Sequence, residues 1–254
     1  MSVLDGTLPV LKGKVALVTG GSRGIGAAIA RRLAADGAAV ALTYVNGAQA
    51  AAKVVGAIEA AGGTALALRA DAADAAEVEA AVAAVAQGFG RIDILVNNAG
   101  IFHAAPIETL SLADFDATFS INLRSAFVAS RAALAVMPDG GRIISIGSNL
   151  AVRATSPGLS LYTASKAAIA GLSQALAREL GPRAITVNVV HPGSTDTDMN
   201  PADGPHARKQ KGLMSNPAGF ADPGEIADVV AFLASPAARS VTGAAWTVDN
   251  GANA

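Results

Sequence analysis

The chain of 254 residues contains no cysteine. That excludes disulfides, a thiolate nucleophile and thiolate-held metals. Histidine is nearly as scarce. His103, His191 and His206 are scattered along the chain, so no metal site is expected. Charged residues make up only 15% and are balanced, 19 Lys and Arg against 20 Asp and Glu. A net charge of −1 leaves no general basic field for nucleic acid or an anionic membrane, and neither partner is expected. Long apolar runs are also missing. Charge, Gly, Pro or Asn interrupts each stretch before the ~20 residues a membrane-spanning helix needs. Residues 1–9 show no basic segment followed by an apolar run, so no secretory signal is expected and the cytoplasm is the expected compartment.

Aliphatic residues are abundant, and hydrophobic residues reach 52%. That content excludes a disordered chain and promises a large core. At about 150 residues per domain the length fits one large domain or two small ones. No low-complexity linker divides it, so residues 1–254 read as one domain.

Short β-branched runs at 15–19, 39–44, 65–69, 92–97, 142–146, 185–190 and 245–248 read as strands. They are continuously apolar, as strands covered on both faces are. Between them, 24–36, 48–61, 73–89, 115–136, 161–180 and 223–233 carry helical spacing, and Ser111 with Asp114 forms a capping pair ahead of the fourth. This alternation predicts an α/β, Rossmann-type doubly wound sandwich: a seven-stranded parallel sheet with helices on both faces. Residues 193–222 fall outside the alternation, are rich in Pro, Gly, Asn and Asp, and hold a short helix near 205–213. Following the carboxyl end of a strand, they are the candidate substrate-binding lid.

After the first strand comes Thr19-Gly20-Gly21-Ser22-Arg23-Gly24-Ile25-Gly26 and then a helix. Gly20 permits the sharp turn, Gly24 lets backbone approach a pyrophosphate, and Gly26 lets helix and strand pack closely. The helix N-terminus offers N–H donors to the phosphates. NAD-binding versions carry an acidic residue about 20 positions on. Here no Asp or Glu occurs between Gly37 and Ile58, and Arg23 sits in the glycine turn. A carboxylate would repel a 2′-phosphate, so NADPH/NADP+ is expected over NADH.

Tyr162 and Lys166 stand at i and i+4 of a helix and share a face. An ammonium beside a phenol favours the phenolate, so the Tyr162 pKa is expected to fall below its usual value near 10. Such a tyrosine exchanges a proton with an alcohol or carbonyl oxygen. Ser148, just past a strand, is placed to hydrogen-bond the same oxygen. Asn122 lies mid-helix, where Asn is disfavoured.

Taken together, Thr19-Gly-x-x-x-Gly24-x-Gly26, Asn97-Asn98-Ala99-Gly100, Asn122, Ser148, Tyr162-x-x-x-Lys166 and Pro192-Gly193 resemble the short-chain dehydrogenase/reductase family in order and spacing over essentially the whole chain. The resemblance implies hydride transfer with NAD(P), EC class 1.1.1.-, with Tyr162 as general acid/base and Ser148 orienting substrate oxygen. Lys166 would hold the nicotinamide ribose and tune Tyr162, and Asn122 would bind a relay water. The implied cofactor set is Gly20, Ser22, Arg23, Gly24, Ile25, Gly26, Tyr44, Asp71, Asn98, Ala99, Gly100, Tyr162, Lys166, Pro192, Gly193, Thr195 and Thr197. Asp71 would contact adenine, or alternatively cap the following helix. Leu150, Val152, Leu159, Met199 and Leu213 are expected to make an apolar pocket, with Ser148, Leu150, Tyr162 and Met199 as the substrate contacts.

The expected activity is reversible NADPH-dependent reduction of a ketone to a secondary alcohol, with a 3-oxoacyl thioester as an alternative substrate. The lid is similar to that of a bacterial branch containing carbonyl reductases and a cyclic-dinucleotide binder. A second reading is therefore a non-catalytic nucleotide-binding regulator, with Arg208, Lys209 and Lys211 meeting the anion. Family resemblance and Ala-rich helices imply a homotetramer. The family's closing Asp-Gly-Gly is Asp249-Asn250-Gly251 here, a departure expected to touch subunit packing. Asp196-x-Asp198-x-Asn200 is no calcium loop, because Pro201 stands where glycine is needed.

Overall fold

Strands and helices alternate along the computed structural model, which describes residues 9–254. Most of the opening stretch read for a secretory signal, residues 1–8, lies outside the described residues. The strands are β1 (Val15–Val18), β2 (Ala39–Tyr44), β3 (Ala65–Arg69), β4 (Ile94–Asn97), β5 (Arg142–Ile146), β6 (Thr186–Pro192) and β7 (Ala245–Val248). All pairings are parallel, in the order β3-β2-β1-β4-β5-β6-β7. The helices are α1 (Gly24–Ala35), α2 (Ala48–Ala60), α3 (Ala75–Phe89), α4 (Leu112–Phe119), α5 (Ser125–Leu134), α6 (Ser160–Glu179), α7 (Ala207–Lys211) and α8 (Pro223–Ala234).

Successive strand residues point to opposite faces, and each face has its own helix layer. Ala16, Val18, Val40, Leu42, Ile94, Val96, Ile144 and Ile146 pack with α1, α2 and α8. Val15, Leu17, Ala41, Leu95, Ile143 and Val187 pack with α3, α5 and α6. Burial on both faces is why the inner strands read as apolar runs, whereas the edge strands β3 and β7 remain partly exposed. Among the described residues no helix is long and apolar enough to cross a membrane.

Besides shifts of one or two residues at other element ends, three departures from the expectation have local reasons. The helix expected over 115–136 starts earlier and is broken. Ser111 and Asp114 form a complete capping box, so α4 begins at Leu112, and a π-helical turn, Ser120–Arg124, separates it from α5. The cap of α3 is Asp74, whose side chain accepts from the N–H groups of Ala76 and Glu77. Asp71 instead accepts from Ala73 N–H at 2.8 Å, just upstream. The sixth strand runs on to Pro192, which pairs in register with Val248.

Candidate active site

The chain reverses its direction of sheet growth beside β1, which has β2 on one side and β4 on the other. Connections leaving to opposite sides open a crevice beyond the strand ends. The glycine turn lies there. Gly20 and Gly24 have φ of +65° and +51°, conformations that favour glycine. A Cβ on Gly26 would collide with the Asn98 amide and the Gly20 carbonyl. The turn is braced from β4. Thr19 Oγ1 accepts from the N–H groups of Asn98 and Ala99, both at 3.0 Å. Asn98 Nδ2 donates to the carbonyls of Thr19 and Gly20 at 2.9 and 3.0 Å. The Asn98 side chain therefore shapes the turn.

The start of α1 fits a dinucleotide's phosphates. It has no side-chain cap and no acidic residue in its first turn, so its N–H groups and positive dipole end stay open to an anion. Arg23 at the cap position is exposed, and Ile25 packs against the core. Ser22 lies against the end of β2, where a Cβ on Gly47 would sit 3.2 Å from its hydroxyl. Tyr44 is half-buried, and its carbonyl accepts from Ala70 N–H at 2.9 Å.

Across the crevice, Ser148 follows β5, while Tyr162 and Lys166 share the first turns of α6. Lys166 is buried, its Nζ donating to the Ile146 carbonyl at 2.9 Å and lying 5.9 Å from the Tyr162 ring centroid. Burial lowers its pKa to about 8. Tyr162 differs from the expectation. Burial raises its pKa, and its hydrogen bond with the Ser148 hydroxyl only partly offsets that. Desolvation is the larger of the two effects, so the phenol stands above its ordinary pKa.

Asn122 is 2% exposed within the π-helical turn. Its Oδ1 accepts from Ile101 N–H at 2.8 Å, and its Nδ2 donates to the Ile101 carbonyl and to Ser165 Oγ, both at 3.0 Å. It thus ties the loop after β4 to the residue beside Lys166. A Cβ on Gly100 would lie 3.3 Å from both Asn122 Oδ1 and Lys166 Nζ.

Two further residues belong to this constellation. His191, scattered in the sequence, is buried with Nδ1 accepting from Ser148 N–H at 3.0 Å. A neutral ring with its proton on Nε2 is required, and both burial and the Lys166 charge lower its pKa accordingly. Phe102 packs edge-on against Tyr162 with ring centroids 4.9 Å apart, and it is 47% exposed. The one available signal was its position just after Asn97-Asn98-Ala99-Gly100.

The remaining candidates divide by what holds them. Gly193 donates to Val248 O at 2.8 Å, and a Cβ on it would lie 2.5 Å from Asp249. Thr195 is buried, bridges to Ala221 and donates its hydroxyl to Gly193 O at 3.2 Å. The Thr197 methyl lies 3.3 Å from where a Gly24 Cβ would be, so residues 193–222 reach across to the glycine turn. Met199, Leu213 and Val152 are exposed and Leu150 is half-buried. Leu159 is buried and offers no open surface. His103 pairs with Asp114 at 3.8 Å, and no metal-ligating cluster occurs among the described residues.

A family model described as enoyl-(acyl carrier protein) reductase matches residues 20–253. A short chain dehydrogenase from Burkholderia cenocepacia J2315, solved in complex with NADP, is similar at TM-score 0.95 and 57% identity, covering 96% of this chain and 100% of that one. The cyclic-di-GMP-binding biofilm dispersal mediator protein of Escherichia coli is 44% identical over 237 residues, 93% of this chain and 96% of its own length. D-threitol dehydrogenase of Mycolicibacterium smegmatis is 44% identical over 248 residues, 95% of this chain and 93% of its own.

Proposed function

The chain belongs to the short-chain dehydrogenase/reductase family, and from that premise we propose that it is an NADPH-dependent oxidoreductase reducing apolar ketones to secondary alcohols. The observation that carries the reading is the half-buried Tyr162 beside Ser148, with the buried Lys166 Nζ 5.9 Å from its ring centroid. NADPH, when bound, supplies the hydride. The chain's own part is to hold the ketone oxygen and protonate it. Ser148 Oγ and Tyr162 Oη hydrogen-bond that oxygen, and the Tyr162 proton passes to it as the alcohol forms. Lys166 binds the nicotinamide ribose, and the positive charge beside the phenol eases loss of its proton. Asn122 holds the path by which Lys166 and a relay water return that proton.

Ser22, Arg23 and the open N-terminus of α1 receive the phosphates, and the acid-free stretch after β2 favours a 2′-phosphate. Asp71 and Tyr44 flank the adenosine. Pro192, Gly193, Thr195 and Thr197 flank the nicotinamide. Residues 193–222 form the lid, and Met199, Leu150 and Phe102 supply apolar surface for the ketone. Exposed apolar residues, Ile107 at 73%, Leu112 at 84% and Phe127 at 46%, support packing between subunits and the family's homotetramer. A monomeric mass in light scattering at micromolar concentration would contradict that assembly.

The test is oxidation of NADPH, with NADH in parallel, against an aryl ketone, a bulky cyclic ketone, an acetoacetyl thioester and an enoyl thioester. Turnover of apolar ketones with NADPH well above NADH is expected. Turnover of the enoyl thioester alone would overturn the reading. The similarity to a cyclic-di-GMP-binding protein and the exposed Arg208, Lys209 and Lys211 favour one rival, a binding regulator. Tight cyclic-di-GMP binding with no ketone-dependent NADPH oxidation would establish it instead.

A further inference from the structure

The departure Asp249-Asn250-Gly251 has its partners inside the chain. Asn250 adopts a left-handed conformation, φ +54°. Its carbonyl accepts from the N–H groups of Ser215 and Asn216 at 3.1 and 3.0 Å. Its Nδ2 donates to the Gly219 carbonyl at 2.6 Å, and its Oδ1 accepts from Asn216 Nδ2 at 3.3 Å. The Ser215 hydroxyl also donates to the Asn250 carbonyl at 3.4 Å, so this single residue of the turn after β7 grips the closing end of 193–222 through five hydrogen bonds.

The same turn reaches the opening end of that segment and the catalytic loop. Asp249, 8% exposed, crowds Gly193, and its Oδ2 accepts from Asn149 Nδ2 at 3.3 Å and from Asn253 N–H at 3.1 Å. Asn253 Nδ2 donates to the Asn149 carbonyl at 2.7 Å. Asn149 is the residue after Ser148. A side chain at Gly251 would collide with Ser215. Within 193–222 itself, Thr195 bridges to Ala221 and Thr197 to Asn200, and the Asn200 and Gln210 amides exchange hydrogen bonds at 3.0 and 2.9 Å. The Asn250 bonds tie the closing end of this segment to the turn after β7.

We propose that Asn250 is a positioning residue for ketone binding. Its side-chain amide fixes the 215–219 end of the segment relative to Ser148, and with it the wall formed by Met199 and Leu213. Asn250 touches neither substrate nor cofactor. The effect on substrate rests on the lid reading given above, whereas the grip on 215–219 does not.

Asn250→Gly separates the amide from the backbone. Glycine keeps the left-handed conformation at no steric cost and keeps the main-chain bonds to Ser215 and Asn216. Asn250→Asp keeps the shape but turns a carboxylate oxygen towards the Gly219 carbonyl. Both variants are compared with wild type by hydrogen exchange and by steady-state kinetics. Exchange over 204–219 is expected to quicken, more in Asn250→Asp than in Asn250→Gly. KM for the ketone is expected to rise about five- to tenfold through loss of the side-chain bonds. Unchanged kcat, NADPH Kd and exchange in β1–β5 would separate positioning from general destabilisation. Unchanged exchange over 204–219 would overturn the grip. Faster exchange with unchanged KM would overturn its role in ketone binding. If wild type turns over no ketone, the catalytic reading fails, and exchange alone still decides the grip.

Discussion

The two halves of the crevice are built from different material. The half around β1 is made of main chain: a glycine turn, an uncapped helix start, and side chains such as Thr19 and Asn98 that spend their hydrogen bonds holding that turn. The half around β5 and 193–222 is made of side chains, several left open, with Phe102 at 47%, Met199 at 57% and Val152 at 68% exposed. A backbone-built site tolerates little change and selects a constant ligand. A side-chain wall is readily altered without touching the sheet. Under the proposed function, the contrast gives the cofactor to one half and the choice of substrate to the other.

The largest effect is expected from breaking the backbone half. Gly26→Ala pushes a methyl into the Asn98 amide and the Gly20 carbonyl. Overpacking of that kind costs about 1–3 kcal/mol. A lower melting temperature and loss of NADPH affinity are expected together, read by calorimetry and fluorescence titration. Wild-type affinity would show that the turn is looser than its packing implies.

The second effect concerns the buried lysine between the halves. Burial sets the Lys166 pKa near 8 against an ordinary 10.5. Between those values the unfolded chain binds the extra proton, so stability rises with pH across that window. Below about pH 8 both states are protonated and the penalty is fully present. It amounts to roughly 3 kcal/mol at most. Urea unfolding across pH should show this rise in wild type and its loss in Lys166→Met. Parallel curves would mean the ammonium is better solvated than its burial implies.

The smallest effect on stability is expected in the side-chain half. Phe102→Ala removes an exposed ring and one edge-on contact with Tyr162, worth about 0.5–1.5 kcal/mol. NADPH affinity should hold while the ranking of ketones by KM changes. An unchanged ranking would remove Phe102 from the substrate wall.

The same contrast governs what the sequence makes legible. Burial on both faces leaves unbroken apolar runs, so β1 and β4 to β6 were plain, as was the capping box of Ser111 and Asp114. The glycine turn was readable because each glycine answers a backbone need. Features set by tertiary contact were not. The π-helical turn exists where Asn122 reaches Ile101 and Ser165, and nothing in the helical spacing marks it. Asp71 and Asp74 are equivalent caps by residue type, and only the chain path selects Asp74. His191 becomes the acceptor for Ser148 N–H, and Asn250 the grip on 215–219, only once β6 and β7 bring them there. Spacing reveals the charge beside Tyr162 but not its burial, which raises the pKa instead.

The most direct test of the division between the halves is Tyr162→Phe, measured for NADPH affinity and ketone turnover in the same preparation. The account predicts an unchanged NADPH Kd and turnover reduced by about 10²–10⁴-fold, the scale of a lost general acid. Residual turnover near wild type would contradict the role of Tyr162, and loss of NADPH affinity along with turnover would contradict the separation itself.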